Sequence, residues 1–213
     1  MKYPNWSCTK KVKSRDETII SMYRSIFRKD CIPLDKQYWT MCGQNSNEDG
    51  SIRINCEFDQ ITSSGLIKPS QFFGVERDFF IHSMNKKVSS EANWVNGDFY
   101  DSIVIEDNKN NFKPAIVNID NVKMPHSGGI DYASRILSVV DVSSSYVMVV
   151  CNLILKCYSN KYEYSDMVDC LYGNRIFQKI SNRWKVYGYC YVYDGSNDGK
   201  TTEMGSLIFW KTI

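Results

Sequence analysis

Residues 71–101 read QFFGVERDFFIHSMNKKVSSEANWVNGDFYD, and the fold turns on this stretch. Two short apolar runs, Phe72-Phe73-Gly74-Val75 and Asn93-Trp94-Val95, each lead into an acid. The first acid, Glu76, follows at once, and the second, Asp98, comes after Asn96-Gly97. Between the runs Phe79, Phe80, Met84 and Val88 keep helical spacing, with basic residues at the end of the segment. Strand, acid, helix, strand, acid is how a doubly wound α/β domain places carboxylates at the carboxyl ends of neighbouring parallel strands. That edge is where such sheets bind ligands. An acid on the second strand and another on the third suit a nucleoside, one for ribose hydroxyls and one for an adenine amino group.

The 213 residues suit one domain with a sizeable core. With 43% hydrophobic and 23% charged residues, the composition is that of an ordinary soluble globular chain. A net charge of +2 does not argue for nucleic-acid binding unless the charge is locally concentrated. No apolar run is long enough to cross a bilayer, and the N-terminus lacks the apolar core of a signal peptide, so a cytoplasmic protein is expected. The eight cysteines include no CxxC pair, and there are only two histidines, His82 and His126. Neither a disulfide framework nor a metal site is expected. Abundant Asn, Lys, Ile, Ser and Tyr have the look of an AT-rich coding bias such as a phage shows.

Upstream, Asp16 to Phe27 has an amphipathic helical pattern that Pro33 stops, and Tyr38 to Cys42 is strand-like. A polar loop runs from Gly43 to Gly50. From Ser51 the apolar residues Ile52, Ile54, Cys56, Phe58 and Ile61 suggest a helix ending near Gly65. Downstream, Pro114 to Asp120 reads as a fourth strand with an acid at its end, and Gly128-Gly129 opens a helix. Tyr146 to Leu155 is apolar throughout, as a strand covered on both faces should be. A helix around Tyr164 to Ile180 leads to two alternating segments, Trp184–Tyr193 and Glu203–Lys211. The Gly/Asn/Asp turn between them makes these an antiparallel hairpin.

Five strand–helix units closed by a hairpin resemble the class I S-adenosylmethionine-dependent methyltransferases, over roughly residues 36–213. Residues 1–35 would form an N-terminal helical extension. The resemblance implies an α/β, doubly wound, mostly parallel seven-stranded sheet in which the last strand inserts beside the fifth. It also implies S-adenosyl-L-methionine as cofactor. Cys42, Gly43 and Gln44 would then shape the methionine pocket, Glu76 would bind the ribose, and Asp98 with Phe99 would hold the adenine. The loop from Cys42 to Gly50 departs from the family's G-x-G pattern, with one glycine after the strand and the next seven residues on.

Asn118 and Asp120 occupy the catalytic position after strand four, where amino-methylating members orient the target amine. The Pro-Pro-aromatic signature of those members is absent here, and Val122-Lys123-Met124-Pro125-His126 follows instead. Ribose 2′-O-methyltransferases offer a second layout, a Lys-Asp-Lys-Glu set in which a lysine of lowered pKa deprotonates the hydroxyl. Asp120, Lys156 and Glu203 match three of its members, with Lys29 and Lys36 as candidates for the first lysine. The basic segment Lys10 to Lys29 could hold a phosphate backbone, making nucleic acid the expected acceptor. The competing expectation is a methyltransferase-like fold that has lost catalysis and serves as a binding or assembly module. A dehydrogenase is disfavoured, because G-x-G-x-x-G is missing.

Overall fold

The computed structural model describes residues 9–41, 45–46, 52–53, 56–120, 124–157, 160–161, 163–194 and 201–212. Besides the two-residue pairings of Asn45–Ser46 with Ile52–Arg53 and of Asn160–Lys161 with Lys156–Cys157, its strands are β1 (Gln37–Met41), β2 (Phe72–Glu76), β3 (Asn93–Asn96), β4 (Pro114–Asp120), β5 (Val147–Cys157), β6 (Lys185–Asp194) and β7 (Thr201–Lys211). They pair in the order β3-β2-β1-β4-β5-β7-β6. The first five are parallel. β7 runs antiparallel to both β5 and β6. This is the mostly parallel α/β sheet with a terminal hairpin that the sequence implies.

The helices are α1 (Thr9–Arg15), α2 (Met22–Phe27), α3 (Cys56–Ser63), α4 (Phe79–Val88), α5 (Phe99–Asn108), α6 (Gly129–Ser143), α7 (Tyr164–Gly173) and α8 (Arg175–Gln178). Each sheet face carries its own core, because strand side chains alternate. On one face Trp39, Val75, Val117, Ile119, Val149 and Cys151 pack in a cluster with Ile103 of α5, Leu137 of α6 and Met167 of α7. On the other, Tyr38, Phe72, Ile116, Met148 and Val150 cluster with Ile19, Ile20 and Tyr23 from the N-terminal helix and with Phe58 and Ile61 of α3. Burying a side chain of this size contributes about 1.5–3 kcal/mol. Among the described residues no helix is long and apolar enough to cross a membrane.

Four local readings change. The N-terminal helix starts at Thr9, and a π-helical turn, Asp16–Ser21, joins α1 to α2. Ile52–Arg53 pairs antiparallel with Asn45–Ser46 instead of opening a helix, and α3 begins only at Cys56. The period of two in Ile52, Ile54, Cys56 and Phe58 allows a strand at Ile52 as well as the helix that forms from Cys56. The helix expected over Tyr164–Ile180 breaks at Gly173. There the Asn174 side chain accepts from the Ile176 and Phe177 amides and caps α8. Finally, α5 fills a stretch to which the sequence reading gave no element.

Candidate functional site

Glu76 is the last residue of β2, and it stands in register with Asn96, the last of β3. The Gly97 N–H donates to the Glu76 carbonyl at 3.1 Å. The Asn96 Nδ2 donates to the same oxygen at 2.9 Å, so the two strand ends are fastened together. Gly97 has φ +155°, a backbone that side-chain-bearing residues rarely adopt, and a Cβ there would lie 3.2 Å from Ser102 Oγ. The chain therefore leaves β3 through a glycine and delivers Asp98 beside Glu76. Glu76 and Asp98 thus both stand at the carboxyl edge of the sheet, Asp98 two residues past the partner of Glu76.

The environments of the two acids differ. The half-buried Glu76 carboxylate accepts the Asp78 N–H at 2.8 Å. Burial raises it above the usual carboxylate range, and the backbone amides of Asp78 and Arg77 only partly offset this. Asp98 caps α5, with Oδ1 accepting the Tyr100 N–H at 2.9 Å and the Asp101 N–H at 3.4 Å. The Tyr132 hydroxyl of α6 reaches the same oxygen at 3.5 Å. Oδ2 of Asp98 makes no hydrogen bond among the described residues. One oxygen thus fixes the carboxylate to the protein while the other stays available to a ligand.

β4 ends in Asp120, half-buried at the same carboxyl edge and in register with Asn152 of β5. Asn118, two residues earlier, is only 1% exposed and belongs to a buried polar chain on the α3 face. Its Nδ2 donates to Glu57 Oε1 of α3 at 2.9 Å and to Thr40 Oγ1 at 3.4 Å. Its Oδ1 accepts from Asn152 Nδ2 at 3.2 Å. Ser206 Oγ continues the chain to Asn152 Oδ1 at 2.6 Å. At the other end Tyr38 Oη donates to Glu57 at 2.7 Å, and Arg15 Nε lies 3.6 Å from it. Asn118 is therefore a strut inside the sheet and does not face an acceptor, which corrects the orienting role expected of it. The physical reason is that strand alternation turns it to the covered face, where Glu57 and Asn152 engage both ends of its carboxamide.

Phe99 is 2% exposed and sits in the core beside Ile103, so it does not present its ring at the edge as an adenine-flanking residue would. As the first residue of α5, its direction follows from the Asp98 cap. Lys156 and Glu203 are direct partners in the antiparallel register of β5 and β7. Cys42, Gly43 and Gln44 lie outside the described residues. The basic N-terminal segment partly turns inward: besides Arg15, Arg24 donates to the carbonyls of Asp30 and Ser64 at 3.2 and 2.7 Å. Lys29 lies over the Tyr146 ring, 4.8 Å from its centre.

The residues that the sequence did not mark are Thr40, Glu57, Asn152, Ser206 and Tyr132. Each is polar at a position of apolar periodicity or on a helix face, and that was the only available signal. Among the described residues no group of three or more His, Cys, Asp or Glu side chains could hold a metal ion.

No protein-family model matches this sequence, and neither does any curated protein. Solved structures do share the fold. The plantazolicin methyltransferase BamL, solved with a triazolic desmethylPZN analog and SAH, superposes with a TM-score of 0.56 at 10% identity. The match covers 95% of this chain and 91% of that one. A SAM-dependent methyltransferase from Anabaena variabilis has a TM-score of 0.51 at 8% identity, covering 92% of this chain and 85% of that chain. The likeness is one of fold.

Proposed function

We propose that this chain binds S-adenosyl-L-methionine and is a methyltransferase. The observation that carries the reading is the placement of two acids, Glu76 and Asp98, at the carboxyl ends of adjacent parallel strands whose ends are hydrogen-bonded together, in a methyltransferase-like sheet. A nucleoside needs acceptors for ribose hydroxyls at one point and for a base amine at the next. Glu76 supplies the first and the unengaged Oδ2 of Asp98 the second. When bound, the cofactor supplies a methyl group activated on its sulfonium.

The chain's own residues then divide the remaining work. Cys42, Gly43 and Gln44, next in sequence after β1, would hold the methionine portion. Asp120, at the end of β4, would orient the acceptor. Lys156 and Glu203, paired in register, would move or hold the acceptor's proton. Nucleic acid is the acceptor class we favour, either a base amino group or a ribose hydroxyl. Phosphate contacts would fall to the basic N-terminal segment, Lys10 to Lys29.

Titration calorimetry with S-adenosylmethionine and S-adenosylhomocysteine tests the first step. Binding at micromolar concentration that Glu76→Ala and Asp98→Ala remove, without unfolding the protein, supports the reading. No heat of binding at high micromolar concentration would sink it. Transfer of a radiolabelled methyl group to bulk RNA and DNA then tests the acceptor class.

A further inference from the structure

We propose that Tyr132 is a positioning residue that makes Asp98 select a ligand amine over a carbonyl at the base's sixth position. The proposal rests on the cofactor reading above and adds to it a specificity-determining residue outside the two acids. Tyr132 lies on the first turn of α6, 34 residues from Asp98 in sequence, and the fold brings its phenol to the carboxylate. The hydroxyl has two partners. It accepts the Tyr100 N–H at 3.2 Å and donates to Asp98 Oδ1 at 3.5 Å. The same Tyr100 N–H also donates to Oδ1 at 2.9 Å, so amide, phenol and carboxylate form a closed three-membered arrangement. The Arg135 guanidinium lies over the Tyr100 ring at 4.1 Å and restrains that residue from the side of α6.

The consequence is asymmetry within one carboxylate. Oδ1 takes hydrogen bonds from the Tyr100 and Asp101 amides and the Tyr132 hydroxyl, all donors. These donors converge on one oxygen and fix the orientation of the carboxylate. The phenol stays a neutral donor, since burial and the neighbouring Asp98 push it up to about 12. Oδ2 is then an acceptor with fixed direction, and it pairs only with a ligand group that carries a proton. An exocyclic amine satisfies it, whereas a ring carbonyl at the same place sets oxygen against oxygen. Without the phenol, the carboxylate keeps its two backbone amides but loses the lateral restraint.

The test is calorimetry with two ligands, S-adenosylhomocysteine and S-inosylhomocysteine, which differ by amine against carbonyl at that position. The native protein should prefer the adenosyl ligand by roughly ten- to hundredfold, the range expected when a hydrogen bond to a charged group is replaced by a repulsion. Tyr132→Phe should weaken the adenosyl ligand about three- to tenfold while leaving the inosyl ligand unchanged, so the preference narrows. Added to Asp98→Asn, the same change should do nothing further. A Tyr132→Phe variant that weakens both ligands alike, or neither, overturns the proposal, as does an undiminished effect in the Asp98→Asn background. If the native protein binds neither ligand, the cofactor reading itself fails. If it binds both equally while Asp98→Ala still weakens binding, only the selectivity claim fails.

Discussion

Replacing Asn118 with alanine should cost more stability than its small size suggests, because the carboxamide has partners at both ends. Nδ2 donates to Glu57 at 2.9 Å, and Oδ1 accepts from Asn152 at 3.2 Å, in a region with almost no solvent. The variant removes a hydrogen bond to a carboxyl group, worth about 1.5–3 kcal/mol, and strands the buried Asn152 amide at about 1–3 kcal/mol. Glu57 keeps its bond from Tyr38 and its contact with Arg15, which limits the total. We expect roughly 3–5 kcal/mol, a large share of the 5–15 kcal/mol that holds a typical domain together. Urea unfolding followed by tryptophan fluorescence measures it. Val142→Ala, at a side chain 83% exposed, is the control and should change stability by less than about 0.5 kcal/mol. A double-mutant cycle with Asn152→Ala should return a coupling of about 0.5–3 kcal/mol. An Asn118→Ala loss under about 1 kcal/mol, or zero coupling, would refute the argument that this chain of side chains is a structural strut.

Gly74→Ala should destabilise by about 1–3 kcal/mol, since the new Cβ would lie 2.3 and 2.6 Å from Trp94 ring carbons; thermal melting checks this. Asp98→Ala should weaken S-adenosylhomocysteine at least about tenfold and, separately, cost about 1 kcal/mol for the lost cap of α5. Calorimetry and urea unfolding would show whether those effects separate. Glu76→Gln should stabilise the protein at neutral pH while weakening the ligand. The raised value of Glu76 means that its protonated form suits the fold, so its favourable contribution is present below the unfolded carboxylate range and is lost as pH rises through its folded value. Solvent screening keeps the gain below about 1 kcal/mol, or about 1–3 °C in Tm at pH 7. The advantage should vanish near pH 4. A gain that grows on acidification would contradict the assignment.

The strand–acid–helix–strand–acid stretch was legible because parallel strands are continuous apolar runs and their ends are polar. The same contrast exposed β4, β5 and the hairpin. Where the reading slipped, a local signal had two solutions. Residues 52–58 alternate with a period of two while lying within reach of a helix, and pairing with Asn45–Ser46 decides for the strand at Ile52. In α5 only Ile103 and Phe99 are buried apolar positions, so the helix announces itself by its Asp98 cap more than by a stripe. Gly173-Asn174 could have been read as a stop, for Asn is a strong cap and Gly a common helix end.

The site was legible to the extent that a residue's role follows from its place along a strand. Glu76 and Asp98 lie just past β-pattern positions, and no knowledge of neighbours was needed to put them at one edge. Asn118 looked equivalent, since it also stands near the end of a strand beside an acid. What separates them is depth along the strand: Asp120 closes β4 at the rim, whereas Asn118, on the same face, lies two residues inside it, against α3. There the deciding partners, Glu57 and Asn152, are 61 and 34 residues away in the chain. A polar residue within an apolar strand has two readings, a ligand contact or one half of a buried hydrogen bond. The choice depends on whether the opposite face is covered. In this protein α3 and the N-terminal helix cover it, which turns a would-be catalytic amide into part of the frame that holds the acids in place.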